Sequence, residues 1–545
     1  MTDTWLAPYN LLSARTYIFG WISLFAVVLF SLAKKRIRQR CLWKIPGPPS
    51  ASFVTGNYPQ MFNTKAAKFH EHIMQTYGRD TQLVISDPKT CTNILLKDQD
   101  VFEETDWFIE TNRYTFGLGL LATLGAHHRK QRKQLNPVFS IKHMRSMVPL
   151  FHGITRQLCT VLAAKAAGGR QEIDMLEWLG RLALELIAQG GLGYTFNSLD
   201  PNSTENEFGR AIKEYNPTIS RLATFRKLFP LISRWPAGIL RFGAKVVPFP
   251  MLHNLIRVTG VMRRYTREVF DEKKRLLEKG DEAFAQQLSE GNDIISVLMK
   301  SNSSSSAEDR LSDEEILGQM TTLIFAATDT TSTALSRILH LLALHQDVQE
   351  ALRQELIAAH AAAGDTELGY DELVELPYLE AICRETLRLY PPANFVYRMA
   401  RADISVPLSQ PLQTPGGALH SLFVPRGTTV MVAIGGVNRD PTIWGVDAAE
   451  WKPARWRAPL PESVADARVP GVYSNTLTFL GGGRACIGFK FSQLEMKVAL
   501  SQLLRAFRFL PAGKEIVWRF GGITTPSVEG ATAVMPQMPL AVERA

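Results

Sequence analysis

One cysteine stands in a glycine-rich stretch near the carboxyl end of the chain, in FLGGGRACIGFKFSQLE (Phe479–Glu495). A helical pattern begins just after Cys486, and the amides and dipole at the amino end of a helix favour a thiolate there. The glycines at 481, 482, 483 and 488 leave room for a flat group against the backbone, and Arg484 could pair with a carboxylate on that group. These features fit a thiolate that binds iron in a planar tetrapyrrole with propionates. A buried structural cysteine beside a glycine-rich turn is the alternative.

The stretch contains the complete pattern F-x-x-G-x-R-x-C-x-G, formed by Phe479, Gly482, Arg484, Cys486 and Gly488. This pattern resembles the haem-binding signature of the cytochrome P450 family, and the likeness covers nearly everything after Pro46. The resemblance implies haem b as the cofactor, with Cys486 as the axial thiolate ligand and the other four residues around the haem. It also implies the fold of that family, which is mostly α with minor β (α+β).

A second motif lies about a hundred residues upstream, in ETLRLYPP, where Glu385 and Arg388 share one face of a helix. Alone, such a pair would be a solvated bridge worth tenths of a kcal/mol. The motif resembles the E-x-x-R element of the P450 family, and PARW (Pro453–Trp456) resembles the later element that contributes Arg455. The resemblance implies a buried network of the three residues that braces the cysteine loop, because buried charges are tolerated only when they are paired.

A long helical pattern carries FAATDTT (Phe325–Thr331), and aspartate and threonine are poor helix residues unless their side chains have a role. The stretch resembles the oxygen-side motif of the P450 family, with Thr330 as the threonine and Asp329 as its acidic neighbour. The resemblance implies that they manage protons for bound dioxygen. Ala327 departs from the family, which usually has glycine there. Threonines that only pack or cap are the alternative.

Further haem partners follow from HHRKQRKQLNPVFS (His127–Ser140), which resembles the W-x-x-x-R helix of the family. Arg132 stands in the arginine place, and His128 replaces the tryptophan. Both types can donate to a propionate. Arg398, a few residues beyond LYPP, fits a third propionate partner in the family.

The same helical segment carries a basic cluster, Arg129, Lys130, Arg132 and Lys133. In the family this face docks NADPH–cytochrome P450 reductase, with cytochrome b5 as a possible second partner, and complementary charge speeds such docking. NADPH would then act indirectly, through the reductase. A solvated helix face is the alternative. The net charge of the chain is +9, but it has no basic tail and no stretch that interleaves aromatic and basic residues, so no nucleic-acid partner is predicted.

The amino-terminal region predicts a membrane anchor. Residues Tyr17–Ala33 are apolar and uncharged, and the basic stretch KKRIRQR follows them, whereas a signal peptide carries its charge first. The basic flank should stay cytosolic; a buried core helix is the alternative. We expect an anchor and flank over 1–40, a proline-rich linker over 41–50 and a haem-thiolate catalytic domain over 51–545. Together with five scattered cysteines, this predicts a single-pass protein of the endoplasmic reticulum membrane with a cytosolic catalytic domain.

Helical periodicity dominates from about residue 125 to 400, and Ser312 and Glu315 form a capping box at the start of the long helix. Short strand-like runs flank this region: QLVIS (Gln82–Ser86), TTVMVAI (Thr428–Ile434) and ATAVMP (Ala531–Pro536). Near Asp80 the chain is about a dozen residues shorter than the family pattern, which predicts a trimmed first hairpin.

The resemblance implies a monooxygenase that uses dioxygen and NADPH to oxidise a small molecule. By family analogy the pocket is lined by mostly apolar segments, which predict a lipophilic substrate: Phe108–Leu121, Ala211–Leu255, Phe325–Thr330, Ala393–Val396 and Ile523–Pro526. The sequences of these motifs resemble those of fungal members of the family. This resemblance predicts a role in secondary metabolism, and a terpenoid substrate is our hypothesis. A thiolate-haem isomerase or dehydratase is the alternative enzyme, although the Asp329–Thr330 pair argues against it. A non-catalytic haem-binding membrane protein, supported only by Ala327 and the short hairpin, is the other alternative.

Overall fold

The computed structural model describes residues 39–45, 82–200, 206–222, 229–232, 249–278, 293–473, 475–531 and 535–545, with isolated positions elsewhere. The predicted membrane anchor lies outside these ranges. Within the described part of the chain, no helix has the length and apolar character that crossing a bilayer requires.

Helices form most of the described chain. They are α1 Pro88–Thr92, α2 Asp106–Phe116, α3 Gly125–Leu135, α4 Ile141–Lys165, α5 Met175–Leu192, α6 Glu207–Arg221, α7 Phe229–Ile232, α8 Pro250–Glu278, α9 Ile294–Ser303, α10 Asp313–Leu344, α11 Gln346–Ala362, α12 Tyr370–Glu375, α13 Pro377–Leu389, α14 Ile434–Asn438, α15 Pro441–Trp444, α16 Glu462–Asp466 and α17 Phe489–Ala506.

The strands are short. They are β1 Gln82–Ile85, β2 Phe102–Glu103, β3 Gln171–Asp174, β4 Phe395–Ala400, β5 Ile404–Thr414, β6 Gly417–Val424, β7 Thr429–Ala433, β8 Phe507–Pro511, β9 Ile516–Arg519, β10 Thr525–Val528 and β11 Pro539–Arg544. They form a sheet of order β1-β7-β4-β2, a sheet of order β3-β11-β8, and the two antiparallel pairs β5–β6 and β9–β10. Helices therefore predominate and strands are a minor part, as the sequence predicts.

The long helix α10 runs through the middle of the core. Its capping box is present: the Ser312 hydroxyl accepts from the Glu315 amide, and the Glu315 carboxylate accepts from the Ser312 amide. Buried residues occur on all sides of α10 because it packs against α5, α13 and α17. α10 is therefore a core helix, and the elements packed around it fix the positions of its side chains.

The strand predictions have mixed outcomes. QLVIS and TTVMVAI contain β1 and β7, which pair in parallel. The prediction for ATAVMP is wrong where it can be compared: Ala531, Met535 and Pro536 are in no strand, and the paired strand is β10. Gly530, with φ of 73°, turns the chain after β10. Strand β1 is an edge of its sheet among the described residues, and the shortened segment before it lies outside them.

Part of the predicted linker packs on the catalytic domain. Leu42 and Ile45 are buried in an apolar cluster that also contains Leu422 and Val424 of β6. Just before them, Arg38 forms an ion pair with Asp403 at 2.7 Å. These contacts hold the chain after the predicted anchor against the sheet region.

Candidate functional site

The loop that carries Cys486 is closed by backbone and ring contacts. The Cys486 amide donates to the Phe479 carbonyl over 2.8 Å. The ring of Phe479 packs edge-on against Tyr473 and at a tilt against Phe489, with centroids 5.6 and 4.9 Å apart. The loop is therefore fixed between the preceding segment and the start of α17.

The glycines of the loop have different roles. A Cβ at Gly481 would overlap the carbonyl oxygen of Pro470, and one at Gly482 would overlap that of Leu95. Gly482 also has φ of 70°, which disfavours other residues. A Cβ at Gly488 would meet no atom within 4 Å. Packing within the protein thus accounts for Gly481 and Gly482, and Gly488 is the one next to open space.

Cys486 is exposed, although the protein around it partly desolvates its thiol. Desolvation raises the pKa of the thiol, whereas the Gly488 amide, which donates to the sulfur, and the Arg132 guanidinium lower it. Arg132 is held in place because its Nη1 donates to the Ala485 carbonyl over 2.5 Å. Metal coordination deprotonates a thiol outright, so this environment suits a ligand that becomes a thiolate when iron binds.

Four predicted cofactor-binding side chains converge beside this loop. His128 is buried, and burial together with the charges of Arg484, Arg132 and Arg398 lowers its pKa to about 3. The imidazole is therefore neutral at pH 7 and can still donate one N–H. The three arginines and the histidine offer donors that suit the two propionates of a haem.

Each of these arginines also has a partner within the protein. Arg484 donates to the Thr123 carbonyl over 2.8 Å. Arg398 donates to the Glu104 carboxylate over 2.8 Å and to its neighbour's carbonyl. Because the guanidinium has five donors, these bonds orient each arginine and leave further N–H groups for a ligand.

The oxygen-side motif lies on α10, which is continuous through it. The Thr330 hydroxyl donates to the Ala326 carbonyl over 2.7 Å, so it competes for a carbonyl of the helix ladder without ending the helix. Asp329 points elsewhere: its carboxylate accepts from the Asn216 side-chain amide of α6. The two neighbours thus face different surroundings.

Asp329 lies in the wall of a cleft of about 1170 Å³ between α5, α6, α10 and the β9–β10 pair. Asn216 and Lys213 also line this cleft, whereas none of the described residues of the cysteine loop does. Burial raises the pKa of Asp329 to about 6, although Asn216 and Lys213 act to lower it. The acid therefore titrates close to physiological pH and is reached from the cleft side.

Three aromatic rings, called the aromatic wall below, pack against one another at the first part of the motif. Phe325 lies 4.8 Å from Phe116 and 5.0 Å from Tyr215, measured between ring centroids. The Tyr215 hydroxyl is 3.3 Å from that of Thr115, which gives it a buried polar partner. Helices α2, α6 and α10 each contribute one ring, so the wall depends on their mutual packing.

The predicted bracing network is present and buried. Arg388 binds Glu385 through two parallel bonds of 2.8 Å, and both side chains have no exposed surface. The Glu385 carboxylate also accepts from Arg455 over 3.3 Å and from the Trp456 indole over 3.0 Å. The network joins α13 to the segment that precedes the cysteine loop.

A family model described as Cytochrome P450 matches residues 46–529. The chain belongs to the cytochrome P450 family. Cytochrome P450 monooxygenase 91 of Postia placenta is 46% identical, over 92% of this chain and 94% of the relative. A ganoderic acid synthetase of Ganoderma lucidum is 41% identical, over 95% and 97%. The crystal structure of a cytochrome P450 at 21% identity covers 92% of this chain and 99% of that one with a TM-score of 0.68, which shows the fold.

The protein is thus a haem-thiolate P450 monooxygenase, and the two relatives named above are fungal. Its described residues fit the cofactor: an accessible thiol, a glycine next to open space and a cluster of propionate donors lie together. Cys486 would ligate the iron, and Arg132, His128, Arg398 and Arg484 would hold the propionates. When bound, the haem supplies dioxygen activation, and its thiolate ligand favours cleavage of the O–O bond.

Two residues of the P450 site have no signal in the sequence. Glu104, in the FEETDW stretch, reaches Arg398, which is 294 positions away. Asn216 reaches Asp329 across 113 positions. Each is an ordinary polar residue in its own segment, and only the packing of distant elements gives it a partner at the site.

The raised pKa of Asp329 predicts a stability cost at neutral pH. The folded state holds the Asp329 proton up to pH 6, whereas the unfolded chain releases it near its ordinary pKa of about 4. The Asp329→Asn variant should therefore be more stable than the wild type by about 1–3 kcal/mol above pH 6, since one pKa unit is about 1.4 kcal/mol. This difference in stability between the variant and the wild type should disappear as the pH falls towards 4. Thermal midpoints of both proteins across pH 4–8 check this, and an equal or lower midpoint for the variant at pH 8 contradicts it.

Proposed function

We propose that this monooxygenase hydroxylates or otherwise oxidises a lipophilic small molecule of fungal secondary metabolism, of the terpenoid class. The wall of Phe116, Tyr215 and Phe325 carries the proposal, because three packed rings favour an apolar substrate and exclude water. The 41% identity to a relative that is named a ganoderic acid synthetase supports the same class.

The side chains divide the work of the reaction. The aromatic wall orients the substrate, and the cluster around Arg398 and Arg484 fixes the cofactor. Thr330 lies on the oxygen side of α10, where its hydroxyl can pass a proton on. Asp329, with a pKa of about 6, can take up protons on the cleft side of the helix, and its side chain would have to turn away from Asn216 to pass them towards Thr330.

Electrons come from NADPH through cytochrome P450 reductase in this proposal, with cytochrome b5 as a second donor. Support comes from the basic face of α3, where Arg129 and Lys133 are exposed. Arg132 is separated from them, because it turns inward to the Ala485 carbonyl. Arg129 and Lys133 pair with Asp100 and Asp309 at the surface and would exchange these partners for acidic groups of the reductase, whereas Arg132 would serve the cysteine loop.

We place the protein in the endoplasmic reticulum membrane, anchored once through Tyr17–Ala33 with the catalytic domain in the cytosol. The basic flank contains Arg38, whose ion pair with Asp403 holds it to the catalytic domain. Leu42 and Ile45 continue this attachment. In this proposal residues 1–40 anchor the protein in the membrane and residues 41–50 link the anchor to the catalytic domain. Residues 51–545 form that domain and carry the haem close to the membrane surface, where lipophilic substrates concentrate.

The test is expression of the full chain with a P450 reductase in yeast microsomes, followed by product analysis on a panel of terpenoid, sterol and fatty-acid substrates. We expect an oxygenated terpenoid whose formation requires NADPH. Product formed without NADPH would instead indicate an isomerase or dehydratase. A protein that binds the panel but yields no product with any member would contradict the proposed function.

The role of Thr330 predicts uncoupling when its hydroxyl is removed. Thr330→Ala should keep the spectrum of the haem protein but release reducing equivalents as peroxide. Product per NADPH should fall about tenfold or more, because positioned proton transfer contributes about 10²–10⁴-fold. The matched control is Thr321→Ala, since the Thr321 hydroxyl makes the same kind of bond, to the Leu317 carbonyl, in the same helix. Equal coupling in both variants would count against the proton role.

A further inference from the structure

A buried carboxylate lies among the arginines of the proposed propionate site. Glu104 follows β2 and is 8% exposed. Its Oε2 accepts from Arg398 over 2.8 Å, and its Oε1 lies 4.0 Å from the Arg484 Nε. An acid between two arginines weakens their attraction for the carboxylates that they would bind, so its presence needs a reason.

The charges around Glu104 provide that reason. Arg132, Arg398 and Arg484 are cationic, and His128 is neutral because its pKa is lowered to about 3. The neighbouring acid Glu103 lies near a different cation, Arg401, and accepts from the Gly125 amide. These three guanidinium groups and the Glu104 carboxylate leave two net positive charges, which match in magnitude the two negative charges of the propionates.

The other charged groups nearby cancel except for one negative charge, because Arg401 lies near two carboxylates, those of Glu103 and Asp106. Arg401 pairs with Asp106 at 2.7 Å, and one of its Nη groups donates to the Glu104 carbonyl. Arg129, whose charge also reaches His128, pairs with Asp100 at the surface. Glu103 also acts on the Arg484 guanidinium, but less strongly than Glu104 does. Glu104 is the acid that lies against both Arg398 and Arg484, so it offsets the charge of the three arginines most directly.

We propose that Glu104 is a positioning residue that matches the charge of the arginine cluster to the two haem propionates and thereby sets the reduction potential of the haem. Reduction adds one negative charge to the cofactor. A negative side chain nearby opposes that addition, and three unbalanced arginines would favour it. Glu104 also holds the Arg398 guanidinium in place through the hydrogen bond that it accepts from it. The inference rests on the propionate site assigned above and not on the identity of the substrate.

The experiment is a redox titration of the purified, haem-loaded full chain, followed by absorption. Glu104→Gln keeps the shape of the side chain and removes its charge. We expect the equilibrium constant for one-electron reduction to rise about tenfold, which is a shift of 59 mV to higher potential, with the spectrum of the reduced carbon monoxide complex unchanged. The matched control is Glu350→Gln, which removes a 43% exposed carboxylate that pairs with Arg353 and Arg508. It should leave the potential unchanged.

Two further variants separate charge balance from a purely structural role. Glu104→Asp keeps the charge and should stay near the wild-type potential. The double variant Glu104→Gln/Arg398→Gln again leaves two net positive charges, and its potential should return towards that of the wild type. If Glu104→Gln does not hold haem, the double variant should hold it again. A potential of Glu104→Gln equal to that of Glu350→Gln, a downward shift, or a double variant no nearer the wild type than Glu104→Gln would overturn the inference. These readouts use neither substrate nor reductase, so the inference can fail while the proposed function stands.

Discussion

Replacement of Cys486 with alanine is expected to abolish the red-shifted absorption band of the reduced carbon monoxide complex and all monooxygenase activity. The band depends on a thiolate ligand, and Cys486 is the cysteine whose loop lies beside the cationic cluster. Two of the other cysteines cannot substitute, because Cys91 and Cys383 are buried and burial raises the pKa of the Cys383 thiol to about 12. The loss should be complete and not partial.

The control for this variant is Cys41→Ala, which removes an exposed thiol far along the chain from the site. It should keep the full band. Absorption spectra of the two purified variants, normalised to protein, make the comparison. Retention of the band in Cys486→Ala would contradict the ligand assignment. Haem bound without the band would show that the cationic cluster holds the cofactor independently of the iron ligand.

The sequence predicts the parts of the site that local geometry determines. The spacing around Cys486 places the thiol before α17, and the Ser312–Glu315 box starts α10 where the pattern indicates. The Glu385–Arg388 pair follows from helical spacing alone. In each case the interacting residues lie within a few positions, so the chain can show the contact without a fold.

The remaining features depend on packing between distant segments. The sequence suggests that Gly481 and Gly482 leave space for the cofactor, whereas the carbonyls of Pro470 and Leu95 are what require them. The side chain that Asp329 meets comes from α6, and Arg398 meets Glu104 near β2. A single sequence does not reveal which helices and strands lie next to each other. It therefore predicts the iron ligand better than it predicts the charged groups around the haem.

The Glu385→Gln variant is expected to lose about 3–5 kcal/mol of folding stability and most of its haem. Removing one partner of a buried ion pair leaves the other charge uncompensated. Here Arg388 would keep a full positive charge in a place with no exposed surface. Glu385 also accepts from the Lys452 amide, Arg455 and Trp456, so the segment before the cysteine loop would lose an anchor.

The surface variant Glu350→Gln is the matched control, because Glu350 and Arg353 have the same three-residue spacing with the carboxylate partly exposed. Its cost should be about 0–1 kcal/mol, since exposed pairs contribute little. Chemical unfolding followed by fluorescence, together with haem content per protein, measures both variants. Equal stability of the two would contradict a bracing role for Glu385.

A double variant separates an ion pair from a structural junction. Where a buried pair matters only through its charges, apolar replacement of both partners is often neutral or stabilising. Arg388, however, also donates to the carbonyls of Asn438 and Ala448 over 2.8 and 2.7 Å, and to that of Glu450 over 3.3 Å. Glu385→Leu/Arg388→Met would leave these buried carbonyls without donors, at about 1–3 kcal/mol each. We therefore expect the double variant to remain as unstable as Glu385→Gln and poor in haem. Recovery to wild-type stability would show that charge pairing alone explains the motif. Persistent loss of stability and of haem would show that the Arg388 guanidinium is the group that joins α13 to the cysteine-side loop.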